Sequence, residues 1–327
     1  MKETAKKVLI GSAVAAAGAA AFGAVSSYMI TKYMMKIAMD REMPKTKNMK
    51  KTRDSLRGIP DFDEFCDKFA DAREKLEKSS CETVEIISYD GEKLVGHWCP
   101  AENPKRIIVA MHGWRSSWTR DFGVISEFWK DEGCSVLYAE QRGQNNSGGD
   151  YMGFGLTERY DCLEWVKWVD AHNEAGLPIY LAGISMGATT VLMASGLELP
   201  ESVHGIMSDC GFTSPHEIWK HVAENNLHLS YGIRGNIASG ICKKKIQMGA
   251  KDYSTIDALK TNEIPVLFIH GTEDHFVPVE MTYENYKACK APKRLFVVPG
   301  ADHGMSYVLD EAGYKAVVRD FWNSFDN

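Results

Sequence analysis

No P-loop and no dinucleotide fingerprint occurs in this 327-residue chain, so no nucleotide cofactor is implied. Metal-binding spacings are missing too. The eight cysteines (Cys66, Cys81, Cys99, Cys134, Cys162, Cys210, Cys242 and Cys289) include no Cys-x-x-Cys pair and read as small apolar residues. His216 and His221 stand five positions apart, not the four that would turn both towards one metal from a helix. Repeats and low-complexity tracts are absent. Net charge is −6, and a body more acidic still argues against nucleic acid as a partner. What remains is the composition of a folded protein, 44% hydrophobic and 25% charged.

Within that composition one junction stands out. Gly183-Ile184-Ser185-Met186-Gly187 follows the short apolar run Pro178-Ile179-Tyr180, between an expected buried strand and an expected helix. Glycines on both sides let the backbone turn sharply, which would lift the Ser185 hydroxyl above the sheet as a nucleophile. Such a hydroxyl needs a base at neutral pH. His303, in Gly300-Ala301-Asp302-His303-Gly304, follows the apolar run 295–298 and could reach over the sheet. Between the two, the apolar run 264–269 leads into His270-Gly271-Thr272-Glu273-Asp274, and Asp274 could orient the imidazole. A third strand-like run, 107–111, ends in His112-Gly113-Trp114. The main-chain N–H groups of Trp114 and Met186 would then form a two-donor oxyanion hole.

These segments, together with Glu140-Gln141-Arg142-Gly143, make roughly residues 83–325 resemble the α/β-hydrolase superfamily. Within it the chain is similar to bacterial serine hydrolases of the S33 aminopeptidase-like and acyl-thioesterase-like branch. The resemblance implies a mostly parallel, doubly wound sheet and a Ser185–His303–Asp274 triad. It also implies cleavage of a carboxylic ester or related acyl substrate through an acyl-enzyme, with no metal or organic cofactor. A peptidase, acyl-thioesterase or acyltransferase on the same fold competes with that reading, as does a non-catalytic membrane-anchored binding protein. In some relatives the acid follows the strand at 205–208, which makes Asp209 the rival of Asp274. Asp302 reads as a loop-shaping acid, Glu273 and His275 as loop residues, and His112 and His270 as hydrogen-bonded structural histidines. Many relatives have Asp-x-Arg-Gly-His-Gly-x-Ser where this chain has Glu140 to Ser147, a change expected to alter local hydrogen bonding rather than chemistry.

Strand-like runs alternate with amphipathic stretches such as 158–169, the pattern of βαβ units. Asp90-Gly91 between two further runs signals an antiparallel hairpin. Residues 81–327 make the hydrolase domain, in which 212–261 interrupts two core strands as an expected helical cap. Its Phe212, Trp219, Leu227, Leu229, Tyr231, Ile233 and Ile241 would line an acyl cavity, the alternative being a packed insertion without substrate contact. Residues 58–80 are expected to form a connecting helix, with Phe62, Phe65, Phe69 and Leu76 on one face.

Residues 1–57 are expected to be a membrane anchor and basic linker. Val8 to Thr31 is a run of 24 residues without charge. As a helix it would extend about 36 Å, enough to cross a bilayer, so a single N-terminal transmembrane helix is expected. Ala21-Phe22-Gly23 leaves cleavage open. Residues 1–57 hold 12 Lys and Arg against 4 Asp and Glu, densest just after the apolar run. That asymmetry, with cysteines read as unpaired, favours a cytoplasmic hydrolase domain, whereas a signal-like amino end favours export. The side of the membrane stays open.

Overall fold

The computed structural model describes residues 23–44 and 62–326, with side chains from residue 68 onward in the second stretch. One eight-stranded sheet organises them: β1 (Glu82–Ile87), β2 (Lys93–Cys99), β3 (Arg106–Met111), β4 (Cys134–Ala139), β5 (Ile179–Ile184), β6 (Val203–Asp209), β7 (Val266–Gly271) and β8 (Lys293–Val298). Their order across the sheet is β1-β2-β4-β3-β5-β6-β7-β8, and only β2 runs against the rest. The Asp90-Gly91 hairpin does join β1 to β2, with Gly91 at φ +92°. This is the doubly wound sheet of an α/β hydrolase.

The helices are α1 (23–39), α2 (Phe62–Glu77), α3 (Trp118–Asp131), α4 (Glu158–Ala171), α5 (Met186–Ala194), α6 (Pro215–His221), α7 (Gly232–Ile246), α8 (Thr255–Leu259), α9 (Val279–Ala288), α10 (Ser306–Leu309) and α11 (Glu311–Phe325). β3 is buried along its whole length because helices cover both faces of the sheet. Its alternate residues serve opposite layers. Ile107, Val109 and Met111 pack with Trp165 and Val166 of α4 and Val191 of α5. Ile108 and Ala110 pack with Phe122 and Trp129 of α3 and Phe321 of α11.

From β3 the chain moves outward to β4, then crosses back to β5 on the other side. The order therefore reverses between β3 and β5, and above the carboxyl ends of strands at such a reversal ligands bind. The loops after β3, β5, β7 and β8 all end on that edge.

Three expectations need correcting or bounding. Cys81 and Cys99 are not unpaired apolar residues. The β1–β2 register sets Glu82 opposite Trp98, so the flanking cysteines face each other, Cα atoms 4.3 Å apart, and are joined by a disulfide. Cys134, Cys162, Cys210, Cys242 and Cys289 are free and buried, and the Cys66 side chain lies outside the described residues. The argument from unpaired cysteines for a reducing compartment therefore falls. Residues 8–22 of the expected span lie outside the described residues. Among the described residues no helix is long and apolar enough to cross a membrane.

The boundary expected at residue 57 lies outside the described residues. α1 continues past Thr31 to residue 39, and its last turns dock on the hydrolase. The connecting helix is present as α2, packed on α3. Gly123 of α3 lies so close that a Cβ there would meet Arg73 N at 2.9 Å.

Candidate active site

Ser185 occupies the turn between β5 and α5 at φ +56°, ψ −116°, a conformation that L-residues avoid and that holds a side chain clear of both elements. Flanking glycines are obligatory here. A Cβ at Gly187 would run into the Met111 carbonyl oxygen, and one at Gly183 into the main chain of Gly187. Tight packing of α5 onto β3 thus brings the β3 loop against the nucleophile. A Cβ on Gly113 would stand 3.4 Å from that of Ser185.

Three distant side chains meet at this point. The Ser185 hydroxyl donates to His303 Nε2 at 2.9 Å, and His303 Nδ1–H donates to Asp274 Oδ2 at 2.7 Å. Exposure is graded along the chain of bonds. Asp274's side chain is fully buried, whereas 26% of the His303 imidazole remains open to solvent. Burial alone would raise the Asp274 carboxyl. Hydrogen bonds from His270 and His303 and from the Val277 N–H outweigh it and hold the group well below the usual carboxylate range. Its second oxygen accepts from the Phe276 and Val277 N–H groups at 2.9 and 2.8 Å.

His270 has a larger part than that of a generic structural histidine. From the buried end of β7 its Nε2–H donates to Asp274 Oδ2 at 3.0 Å, the same oxygen that serves His303. The Thr282 hydroxyl donates to its Nδ1 at 2.6 Å and fixes the tautomer. His112 is a structural histidine as expected. Its Nδ1–H donates to the Gly113 carbonyl, Gln141 N–H donates to its Nε2, and burial pushes its pKa down. The 140–147 loop is a hydrogen-bonded knot behind it. Arg142 pairs with Asp161 and Asp90 there, and Glu140 with His97.

Asp209 ends β6 beneath the site, yet its carboxylate turns to Ser306 Oγ, 3.4 Å away, and to the Tyr314 hydroxyl rather than to His303. Burial pushes it up to about 6, an effect that nearby His270 and His303 partly offset. Asp302 accepts from the His303 main-chain N–H at 2.8 Å and shapes the loop. His275 is an exposed loop residue.

The N–H of Gly113 is committed to Asp121 Oδ2 at 2.7 Å, and that of Ser185 to the Asp209 carbonyl at 2.9 Å. The next N–H in each loop belongs to Trp114 and to Met186. Among the described residues no hydrogen bond engages either one, which leaves both for a developing oxyanion. Cys210, Asp274 and His303 offer three ligand atoms within 4.8 Å of one another. Burial pushes the Cys210 thiol well up, and a protonated thiol is a poor metal ligand. Asp274 and His303 already satisfy each other. The set fits a proton relay better than a metal centre.

Beside the elbow, apolar side chains from three parts of the chain pack together. Phe154, Met186, Phe212, Trp219 and Tyr231 form a cluster that also takes in Met35 and Met39 of α1, with Trp114 and Phe276 at its edge. The insertion after β6 is helical and contributes Phe212, Trp219 and Tyr231. Leu227 and Ile233, expected to line a cavity, are exposed instead. α1 packs into this cluster, which the sequence does not make evident. Its signal was Thr31, Met35 and Met39 at four-residue spacing, obscured by Lys32 and Lys36.

A strained serine elbow, an imidazole and a buried carboxylate on the carboxyl edge of this sheet define a serine hydrolase of the α/β-hydrolase class. The chain belongs to the prolyl oligopeptidase family, whose model matches residues 120–324. An uncharacterized protein of Bacillus subtilis, YqkD, is 26% identical over 323 residues, 98% of this chain and 99% of that protein. Among solved structures, the Pyrococcus furiosus esterase Pf2001 superposes with a TM-score of 0.60 at 24% identity, over 76% of this chain and 94% of its own. Pyrococcus horikoshii acylaminoacyl peptidase gives 0.57 at 16% identity, over 75% of this chain and 41% of its own. These structural likenesses speak for the fold.

Proposed function

We propose that this protein hydrolyses a carboxylic ester or closely related acyl compound through an acyl-enzyme on Ser185. The carrying observation is the continuous hydrogen-bonded path from Ser185 through His303 to Asp274. As Ser185 Oγ attacks the carbonyl, His303 Nε2 takes its proton and Asp274 stabilises the imidazolium. The N–H groups of Trp114 and Met186 hold the oxyanion. The C–O bond then breaks, and the leaving alcohol receives the proton from Nε2. Water, deprotonated by the same nitrogen, releases the acid and restores the serine.

An ester is favoured over a peptide by the character of these surroundings. The Met, Phe and Trp side chains clustered beside Ser185 suit contact with an acyl chain better than the paired donors and acceptors that an extended peptide requires. We further propose that residues 8–31 anchor the enzyme in a membrane, on the strength of their uncharged length and basic flanks. A panel of p-nitrophenyl esters, aminoacyl anilides and acyl-thioesters tests the substrate class. Ester turnover abolished in Ser185→Ala supports the reading, and turnover confined to the anilides overturns it in favour of a peptidase.

A further inference from the structure

α1 is one unbroken helix with two different surroundings. Its later turns are buried through Thr31, Met35 and Met39, the last two in the same cluster as Met186 and Trp219. That end is fastened in place. Arg115 donates to the carbonyls of Ile37 and Asp40 at 2.7 and 2.6 Å, and the Met152 N–H donates to that of Met39 at 2.7 Å. Its earlier turns are bare: Val25 is 62% exposed and Met29 58%, with Tyr28 and Ile30 beside them. Ile233, on the helical insertion that packs in the same cluster, is 76% exposed. Thr31 closes the uncharged run, and eight residues of helix set it about 12 Å from Met39 along the axis.

We infer that this exposed face seats on a lipid bilayer, and that the substrate is a single-chain ester amphiphile held in that bilayer. The inference rests on the serine-hydrolase reading above and names its substrate class. A bilayer is the occupant because the bare apolar side chains belong to the end of a 24-residue run without charge. Lys32 and Lys36 stand exposed immediately beyond it, at the level where phosphate headgroups would meet them. The site lies beyond that level, so an ester must rise out of the hydrocarbon to reach Ser185. Lifting one chain exposes half the apolar surface that lifting two would, and this selects a single-chain lipid. Acyl transfer to Ser185 breaks the ester C–O bond, the headgroup alcohol leaves with the proton from His303, and water frees the fatty acid.

The test uses the full chain with vesicles of phosphatidylcholine and a minority of phosphatidylglycerol, carrying 1-palmitoyl-lysophosphatidylcholine. Palmitate release is compared with hydrolysis of p-nitrophenyl acetate in water. The combined variant Val25→Ser, Met29→Ser, Ile30→Ser is expected to lower the ratio of the two rates by at least about tenfold. Lys32→Glu with Lys36→Glu is expected to lower it in the same direction and leaves the apolar packing untouched. A ratio unchanged in both variants overturns the inference. So does vesicle-independent cross-linking between Met29→Cys chains, which would assign the face to a second copy. Failure of wild-type Ser185 to react with a fluorophosphonate would instead remove the hydrolase reading itself.

Discussion

The indole Nε1–H of Trp114 donates to the Ala38 carbonyl at 2.8 Å. Trp114 thus presents a main-chain N–H beside the nucleophile while its side chain is tied to the N-terminal helix. Next to it Arg115, at φ +50°, closes over the carbonyls that end α1. Terminal helical carbonyls lack intrahelical partners and carry partial negative charge, so a guanidinium there satisfies both needs.

Arg115→Ala is therefore expected to cost about 2 kcal/mol of stability, through charged hydrogen bonds lost at a partly buried site. It should also lower kcat by loosening the Trp114 loop. Urea unfolding and steady-state kinetics on a soluble ester check both. An unchanged kcat would show that the oxyanion loop stands without α1.

Asp274→Asn removes the acceptor that keeps the proton on His303 Nδ1, and kcat should fall about 10⁴-fold with little change in KM. His270→Phe leaves Asp274 with one imidazole donor fewer and is expected to cost roughly tenfold in kcat. His270→Gln, which can still donate, should recover part of that loss. If the Phe and Gln variants behave alike, the His270–Asp274 bond has no part in positioning.

Asp209 yields a pH dependence of definite sign. Its carboxyl, raised to about 6, sits above the value of about 3.9 for an unfolded chain. Its contribution to stability is full below about pH 4 and is lost as pH rises through about 6. Asp274, held low, acts in the opposite sense, and its contribution is lost only as pH falls below about 4. Asp209→Asn should be more stable than the parent at neutral pH, by up to about 3 kcal/mol, with the gap closing towards pH 4.5. Melting curves across that range test it, and a gap independent of pH contradicts it.

Gly187→Ala places a methyl group on the Met111 carbonyl, where neither backbone can yield. The expected loss is about 3 kcal/mol or more, read by thermal unfolding. A variant as stable as the parent would mean that α5 does not approach β3 as described.

Much of this architecture is legible in the chain because buried parallel strands are continuous apolar runs and because the elbow needs its glycines. Ser185, His303 and Asp274 each follow such a run, so their positions on the sheet edge are readable. Asp274 is preferred over Asp209 for its His-Gly-x-x-Asp setting, and its carboxylate does meet His303. Cys81 and Cys99 escape notice because only the hairpin register sets residues 18 apart face to face. Leu227 and Ile233 show that an apolar residue in an insertion need not face the site. α1 is the largest omission, because two lysines conceal a buried stripe whose partners lie more than seventy residues downstream.

The central claim is that Ser185 is a nucleophile activated by His303. Treatment of the folded protein with a fluorophosphonate, followed by mass spectrometry of its peptides, tests this directly. The account predicts one adduct, on Ser185, which Ser185→Ala abolishes and which His303→Ala slows by orders of magnitude. An unmodified Ser185, or labelling at the same rate in His303→Ala, would contradict it.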